Sequence, residues 1–296
     1  MTMSIAMSAL SRLSAWIIAA CLVLLTGCSA IRFAYNQAPE LAYWWLDGYV
    51  DFSDQQGPAA RAALVEWFRW HRATQLGDYA GLLAAAQAQI VEDASATQVC
   101  RWLDDLRQRI EVAYEQGVPA LAEFVRTMRL EQVQHIERRY QKADEEFRRD
   151  FMQATKAERL ESSIQRTVSR AETLYGRLED AQRALIGQSV AASPFDAQLW
   201  LAERQARQQE IVSTLRALIA ERADAARVQA ALRVFAAHAS RSPRQDYRQH
   251  VQRLTEYNCA FVARLHNSSS AEQRRHGVEK LRSWEVDLRS LAAQRP

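Results

Sequence analysis

The sequence predicts an all-α protein, a multi-helix bundle of long amphipathic helices. Three observations carry that expectation. Six Ser or Thr residues stand three positions before Glu, Gln or Asp: Ser53/Gln56, Ser95/Gln98, Thr155/Glu158, Ser193/Asp196, Ser242/Gln245 and Ser269/Glu272. Such a string starts a helix because the hydroxyl accepts from an otherwise unpaired N3 amide while the longer side chain returns to the cap. Apolar residues recur at three- and four-residue spacing over long stretches, and no proline falls between Pro119 and Pro194. Strand signals are nearly absent. Asp47-Gly48 before Tyr49-Val50-Asp51-Phe52 has the look of a hairpin turn, but without an alternating partner it reads as a helix end and loop.

Element by element, helices are expected over residues 39–51, 55–90 and 97–116. From Val118 a stripe of Leu121, Val125, Met128, Ile136, Tyr140, Ala143, Phe147 and Phe151 predicts a long helix with charges crowding its other faces. After Thr155 the pattern resumes with Leu160, Ile164, Val168, Ala171, Leu174, Leu178, Ala181 and Leu185, predicting a second. Further helices are expected over 195–223, 225–239, 244–266 and 271–292. Pro194 and Pro243 suit first helical positions, where the missing N–H costs nothing. There is no fixed-length repeat and no low-complexity linker. A soft boundary is placed at 187–193, with nothing to force two independent domains.

Residues 1–27 read as a secretory leader. Arg12 gives it a positive start, and Ala15 to Leu25 is a charge-free apolar run too short for a permanent bilayer span. Leu25-Thr26-Gly27-Cys28 closes it and resembles the lipobox of bacterial lipoprotein signals. That resemblance implies diacylglycerol on the Cys28 thiol, cleavage before Cys28, and acylation of the new amino group. Ser29 rather than Asp follows, which by resemblance to enteric sorting favours the outer membrane. The expected mature protein is one helical periplasmic domain over 28–296, held to the membrane by its lipid, and Met3 and Met7 leave the start site open.

Formal charge is +3 with 25% charged residues, a mixed rather than strongly basic surface. Only Lys142, Lys156 and Lys280 of the 38 basic residues are lysines, a bias that does not by itself signal nucleic acid, and export argues against a genomic partner. Of the four cysteines, Cys21 leaves with the leader and Cys28 takes lipid. Cys100 and Cys259 remain, one pair in an oxidising compartment, and a disulfide between them is expected. Closing so long a loop stabilises by roughly 4–5 kcal/mol at most in the chain-entropy model.

An aromatic cluster follows the lipobox, and Tyr35, Trp44, Trp45, Tyr49, Trp67 and Trp70 are its candidate binding residues. It suits an apolar groove, a membrane-facing patch, or simply a packed core. The six histidines are scattered and form neither H-E-x-x-H nor E-x-x-H. Glu131/His135 and Glu272/His276 lie one helical turn apart and read as solvated pairs. No G-x-S-x-G elbow, P-loop or dinucleotide fingerprint occurs. No catalytic residue, metal site or cofactor is therefore expected.

Two resemblances bear on family. Arg32-Phe-Ala-Tyr35-Asn36-Gln-Ala38-Pro-Glu-Leu41 with Trp44-Trp45-Leu46-Asp47-Gly48-Tyr49 resembles the start of a proteobacterial lipoprotein family of unknown function. Gln98-Val99-Cys100, Tyr175 to Gln182, Tyr257-Asn258-Cys259 and Leu265 to Ser268 are similar to its other blocks. That family implies a helical exported lipoprotein and no activity. A fainter similarity is to the Spy-like periplasmic chaperones, whose helices open with L-T-x-x-Q; Ser269-Ser270-Ala271-Glu272-Gln273 keeps the hydroxyl and glutamine without the leucine. The expected role is non-catalytic: binding, scaffolding or chaperoning, with an envelope protein or unfolded polypeptide as partner. The competing expectation is a carrier of a hydrophobic small molecule or lipid held between helices near Trp44, Trp45, Trp67 and Trp70.

Overall fold

A computed structural model describes residues 30–153 and 155–294; the leader expected over 1–27 and the expected lipidation site Cys28 lie outside the described residues. Twelve helices and no strand occur among the described residues. They are α1 Ala30–Asn36, α2 Ala38–Val50, α3 Gln56–Thr74, α4 Leu76–Gln89, α5 Ala96–Arg126, α6 Leu130–Phe151, α7 Lys156–Tyr175, α8 Asp180–Ala191, α9 Ala197–Glu221, α10 Ala225–Ser240, α11 Gln245–Asn267 and α12 Ala271–Ala293. No described helix is long and apolar enough to cross a membrane.

The all-α expectation holds, but three breaks depart from the expected boundaries. The single helix expected over 55–90 is two, α3 and α4, meeting at Gln75. Thr74 Oγ1 donates back to the Trp70 carbonyl at 2.8 Å, a contact that bends helices, and Gly77 follows. Conversely, α5 does not stop at Gln116 but runs through Pro119 to Arg126, and the long helix expected from Val118 to Phe151 is broken over residues 127–129, where α5 ends and α6 begins. Pro119 faces solvent, so the carbonyl of Glu115 that loses its amide partner is left to water rather than buried. The third break falls at Gly176, whose φ of 71° ends α7 in a conformation that side-chained residues rarely adopt.

Caps explain most starts. The reciprocal boxes at Ser53/Gln56, Ser95/Gln98 and Thr155/Glu158 form as expected. Three others do not. At α9 the cap is Asp196 itself, whose Oδ1 accepts from the Gln198 and Leu199 amides, while Ser193 only turns the chain before it. At α11 Ser242 accepts from Arg244 N rather than capping, and Pro194 and Pro243 both lie before their helices instead of at N1. At α12 the box is one residue later, Ser270/Gln273.

The principal core joins Val118, Ala122 and Val125 of α5, Val133 and Ile136 of α6, Val212, Leu215 and Leu218 of α9, and Val228, Ala231 and Leu232 of α10. A second gathers Val168 of α7, Leu178, Ile186 of α8 and Leu265 of α11. Cys100 of α5 and Cys259 of α11 are disulfide-bonded with Cα atoms 5.5 Å apart, so the crosslink joins a helix of one core to a helix of the other. The last helix, α12, packs along α4 and also meets α1, bringing the two ends of the described chain together.

Four glutamines tie helix corners in a repeated way. Gln56, the first residue of α3, and Gln132, the N3 residue of α6, exchange side-chain amide hydrogen bonds in both directions at 3.3 and 2.8 Å. Gln182 and Gln273, the N3 residues of α8 and α12, do the same at 2.8 and 2.9 Å. Each Oε1 also accepts from the backbone amide three residues before it, that of Ser53, Arg129, Glu179 or Ser270, the last three being the N-caps of their helices. Each Nε2 also donates to a carbonyl at the end of the helix preceding its counterpart: Thr127, Asp51, Ser268 and Arg177 in turn. All four glutamines are buried, and each places both amide N–H groups and both carbonyl lone pairs.

Buried carboxylates tie α9 to its neighbours. Asp144 of α6, 4% exposed, accepts from Arg204, Gln205 and Gln208. Glu203 of α9, 2% exposed, is held by Arg244 at the start of α11 and by Arg207. Burial pushes the Glu203 carboxyl up, but bonds from Arg244 and Ser242 outweigh it and hold the group below its ordinary value. A carboxyl lowered on folding stabilises above its unfolded value and loses that contribution as pH falls through the folded one. Glu203→Gln is therefore expected to cost about 2 kcal/mol at pH 7, discounted because Arg244 stays partly in water. Urea unfolding at pH 7 and pH 3 checks this, and the gap between variant and wild type should narrow at the lower pH.

Candidate functional site

The helices nearest Cys28 in sequence, α1 and α2, build the surface with the most distinctive chemistry. α1 and α2 are nearly continuous, because Gln37 N donates to the Phe33 carbonyl and Leu41 N to the Gln37 carbonyl across the junction. Pro39 sits in the first turn of α2, where its missing donor costs nothing. The chain leaves α2 at Asp51, with φ 55°, and Asp47 Oδ1 accepts from the Phe52 amide. The Asp47-Gly48 string thus lies inside and at the end of a helix, as the sequence reading has it.

One side of this pair is locked down by aromatic and cationic contacts. Tyr43 is buried, stacked on Phe52 at 5.5 Å, and covered by the Arg61 guanidinium 3.6 Å from its ring centre. Gly57 makes room, since a Cβ there would sit 3.0 Å from the Tyr43 hydroxyl. Phe52 meets Phe124 of α5 edge-on. On α1, Tyr35 lies between Phe68 and His71, its hydroxyl 2.8 Å from His71 Nδ1. Burial pushes the Tyr35 phenol up to about 12 against the opposing charge of Arg72, and burial pushes His71 down. Arg72 then joins three elements: it donates to Asn36 of α1 and to the Leu291 carbonyl and Gln294 at the end of α12. Arg32 pairs with Asp287 of α12 at 3.2 Å.

The opposite side is far less covered, the Arg61 guanidinium coming no nearer than 6.0 Å to the Trp44 ring centre. Phe33, Leu41, Trp44 and Trp45 are 58–68% exposed. At 100° per residue, Phe33, Gln37, Leu41, Trp44, Trp45 and Gly48 fall within an arc of roughly 120° that contains no charge. This is an apolar aromatic face on a firmly seated helix pair, beginning within a few residues of Cys28 in sequence.

The six candidate aromatics therefore do not form one site. Tyr35, Trp67 and Trp70 belong to a partly buried web with Phe68, His71 and Tyr79; Trp67 stacks on His71 at 4.9 Å and donates Nε1–H to the Ala113 carbonyl. Trp44 and Trp45 point outward. Tyr49 touches Trp45, carries the Arg139 guanidinium 5.1 Å from its ring, and lines a cavity of about 300 Å³ with Tyr140, Trp200 and Phe235. Because the rings split between interior and exterior, they do not enclose a ligand between Trp44, Trp45, Trp67 and Trp70.

The histidines serve the fold. His135 donates to the Gly48 carbonyl and His276 contacts the Leu174 carbonyl, so neither makes the Glu131 or Glu272 pair that helical spacing suggests. His266, buried, donates Nε2–H to the Glu92 carbonyl, which leaves Nδ1 to accept from Tyr175. Among the described residues no group of three His, Cys, Asp or Glu is placed to hold a metal ion.

Sequence reasoning missed a second feature. A cleft of about 1160 Å³ opens between α7 and α11, closed at one end by the loop before α9. Its charged lining is Lys156, Arg159, Arg166 and Arg170 of α7 against the single carboxylate of Asp196. Their spacing along α7 was legible as one helical face, but the unpartnered wall opposite was not.

Fold and surface together define a class: an all-α multi-helix protein assembled from paired helix corners, with an aromatic face at its N-terminal end. The chain belongs to DUF6279, a family of unknown function whose profile matches residues 48–248. The match takes in the Gln56–Gln132 pair, Gln182 and Cys100, while Trp44, Trp45, Cys259 and Gln273 lie beyond its ends. No curated protein and no solved structure matches the chain.

Proposed function

We propose that this protein is an outer-membrane lipoprotein of the periplasmic face, anchored through acyl chains on Cys28, with a non-catalytic binding or scaffolding role in the cell envelope. In this reading the α1–α2 face rests in the membrane interface and fixes how the helical body stands on the bilayer. The observation that carries it is the uncharged, exposed arc of Phe33, Leu41, Trp44 and Trp45 immediately after the lipobox. Such a face in water is costly. Trp rings favour the bilayer interface, and an amphipathic helix with aromatic residues on its apolar side lies in that plane. Acyl chains supply the affinity and the aromatic face supplies the orientation.

Two measurements test the reading. Palmitate labelling in cells is expected to mark the wild type and leave Cys28→Ser unmarked; equal labelling of both removes the anchor. In phosphatidylcholine vesicles containing brominated lipid, the anchored wild type is expected to show Trp quenching, most of which disappears in Trp44→Phe/Trp45→Phe. Quenching unchanged by that double substitution would show that the face stays in water.

A further inference from the structure

We infer that the α7–α11 cleft is a binding site for a lipid with an anionic, phosphate-bearing headgroup. Lys156, Arg159, Arg166 and Arg170 recur along one face of α7, so four cations line about 21 Å of helix. Among the described residues none of the four has a carboxylate within ion-pair distance, whereas 16 of the other arginines pair with an acid. What they do contact is neutral: Arg159 donates to the Gln153 carbonyl, Arg166 to Asp150 O and Ser163 Oγ, and Arg166 also lies 4.5 Å from the Phe151 ring centre. The one acid in the lining, Asp196, already uses its Oδ1 to cap α9. Like charges gathered in a recess repel one another, and an anion relieves that repulsion.

Two further observations fix the class of anion. The remaining wall is mixed: Ser189, Ser193, Gln198 and Asn258 are polar, while Leu160, Phe195, Leu254 and Phe261 offer a surface for hydrocarbon that a free phosphate does not use. Gln153 Oε1 is a buried acceptor without a donor at the same cleft, a fit for the hydroxyl or ammonium of a headgroup. A lipid with a phosphate and a hydroxylated or amine head satisfies cations, acceptor and apolar side chains together. The inference is independent of the anchor at Cys28, since the cleft is formed by helices remote in sequence from it.

The test uses the full mature chain extracted in dodecyl maltoside, a neutral amphiphile in excess. Native mass spectrometry is read after adding dioleoylphosphatidylglycerol or dioleoylphosphatidylcholine, which share acyl chains and differ in net charge. One tight phosphatidylglycerol adduct is expected, favoured over phosphatidylcholine by about tenfold or more. Lys156→Glu/Arg170→Glu should abolish that preference. Both side chains are exposed and make no hydrogen bond or ion pair among the described residues, so the variant's helicity and melting are expected to match the wild type. Arg233→Gln, at a surface pair with Glu115 on α5, should keep the preference. Equal binding of the two lipids, or a preference that survives the double substitution, overturns the proposal. So does displacement of phosphatidylglycerol by inorganic phosphate or by pentaglutamate at comparable concentration, which would make the cleft a general anion or acidic-peptide site.

Discussion

Replacing Cys100 and Cys259 together by alanine should lower the stability of the folded chain by about 4 kcal/mol, the largest effect expected of any pair of small side chains here. The bond closes a loop across a sequence separation of 159 residues, and freeing that loop restores a large conformational entropy to the unfolded ensemble. Against a typical total of about 5–15 kcal/mol the loss is severe. It should still fall short of the full entropic figure, because the unfolded chain is more compact than a random coil, and on the folded side other contacts hold the same corner without the bond. Asn267 grips both the amide and the carbonyl of Ala94 at 2.8 and 3.1 Å, and His266 donates to the Glu92 carbonyl at 2.7 Å. Cys259 is fully buried, so the variant also loses some packing; unfolding the wild type in urea with and without a phosphine reductant separates the two contributions. A midpoint unmoved by reduction, or two reactive thiols in the denatured unreduced protein, would remove the disulfide from the account.

The helical content was legible because it rests on local signals. Hydroxyl caps at Ser53, Ser95 and Thr155, and the apolar stripe of Ile136, Tyr140, Ala143, Phe147 and Phe151, act over a few residues and need no tertiary information, whereas the same stripe extended back to Val118 crosses the break at residues 127–129. The breaks were less legible where two local preferences competed. Pro119 reads as a stop only if its freed carbonyl is buried, and exposure is a tertiary property. Gly176 is a stop because φ is positive there, and the residue alone does not say so. At the surface, the sequence placed six aromatics in one cluster because they are close along the chain. Helical geometry instead turns Trp44 and Trp45 outward while Tyr35, Trp67 and Trp70 turn inward. The cleft depends on which helix fails to pack against α7, and nothing local encodes that.

The glutamine corners are the clearest case of order hidden from a sequence reading. No fixed-length repeat is visible, because the two pairs are separated by 76 and 91 residues. The constant spacing is internal to each corner: Asp51 and Gln56, Thr127 and Gln132, Arg177 and Gln182, Ser268 and Gln273 all stand five positions apart. Only two of the four residues standing three positions before these glutamines, Ser53 and Ser270, carry a hydroxyl. Arg129 and Glu179 do not announce a helix start, so Gln132 and Gln182 pass for ordinary polar residues. Their identity is set by reach: an N3 side chain must return to its own cap amide and also extend across to a second corner, with both a donor and an acceptor at its tip. Glutamine meets that demand. Glutamate lacks the donor and leucine lacks both.

Substituting Gln182 by leucine should therefore cost about 3 kcal/mol, well beyond the value of one hydrogen bond, because it strands several groups at once. The Glu179 amide loses its acceptor, the Ser268 carbonyl loses its donor, and Gln273 is left buried with half its bonds unmade. Adding Gln273→Leu should cost much less than it does in the wild type, since the stranded partner then disappears and two apolar side chains meet. A coupling energy of roughly 1–2 kcal/mol is expected from the double-mutant cycle. The equivalent cycle between Gln182 and Gln132, which belong to different pairs, should be additive within about 0.5 kcal/mol. Urea unfolding of the single and double variants gives both numbers. Additivity within the Gln182–Gln273 pair would mean that each glutamine acts only as the cap of its own helix, and the joined corner would then be a consequence of the fold rather than one of its causes.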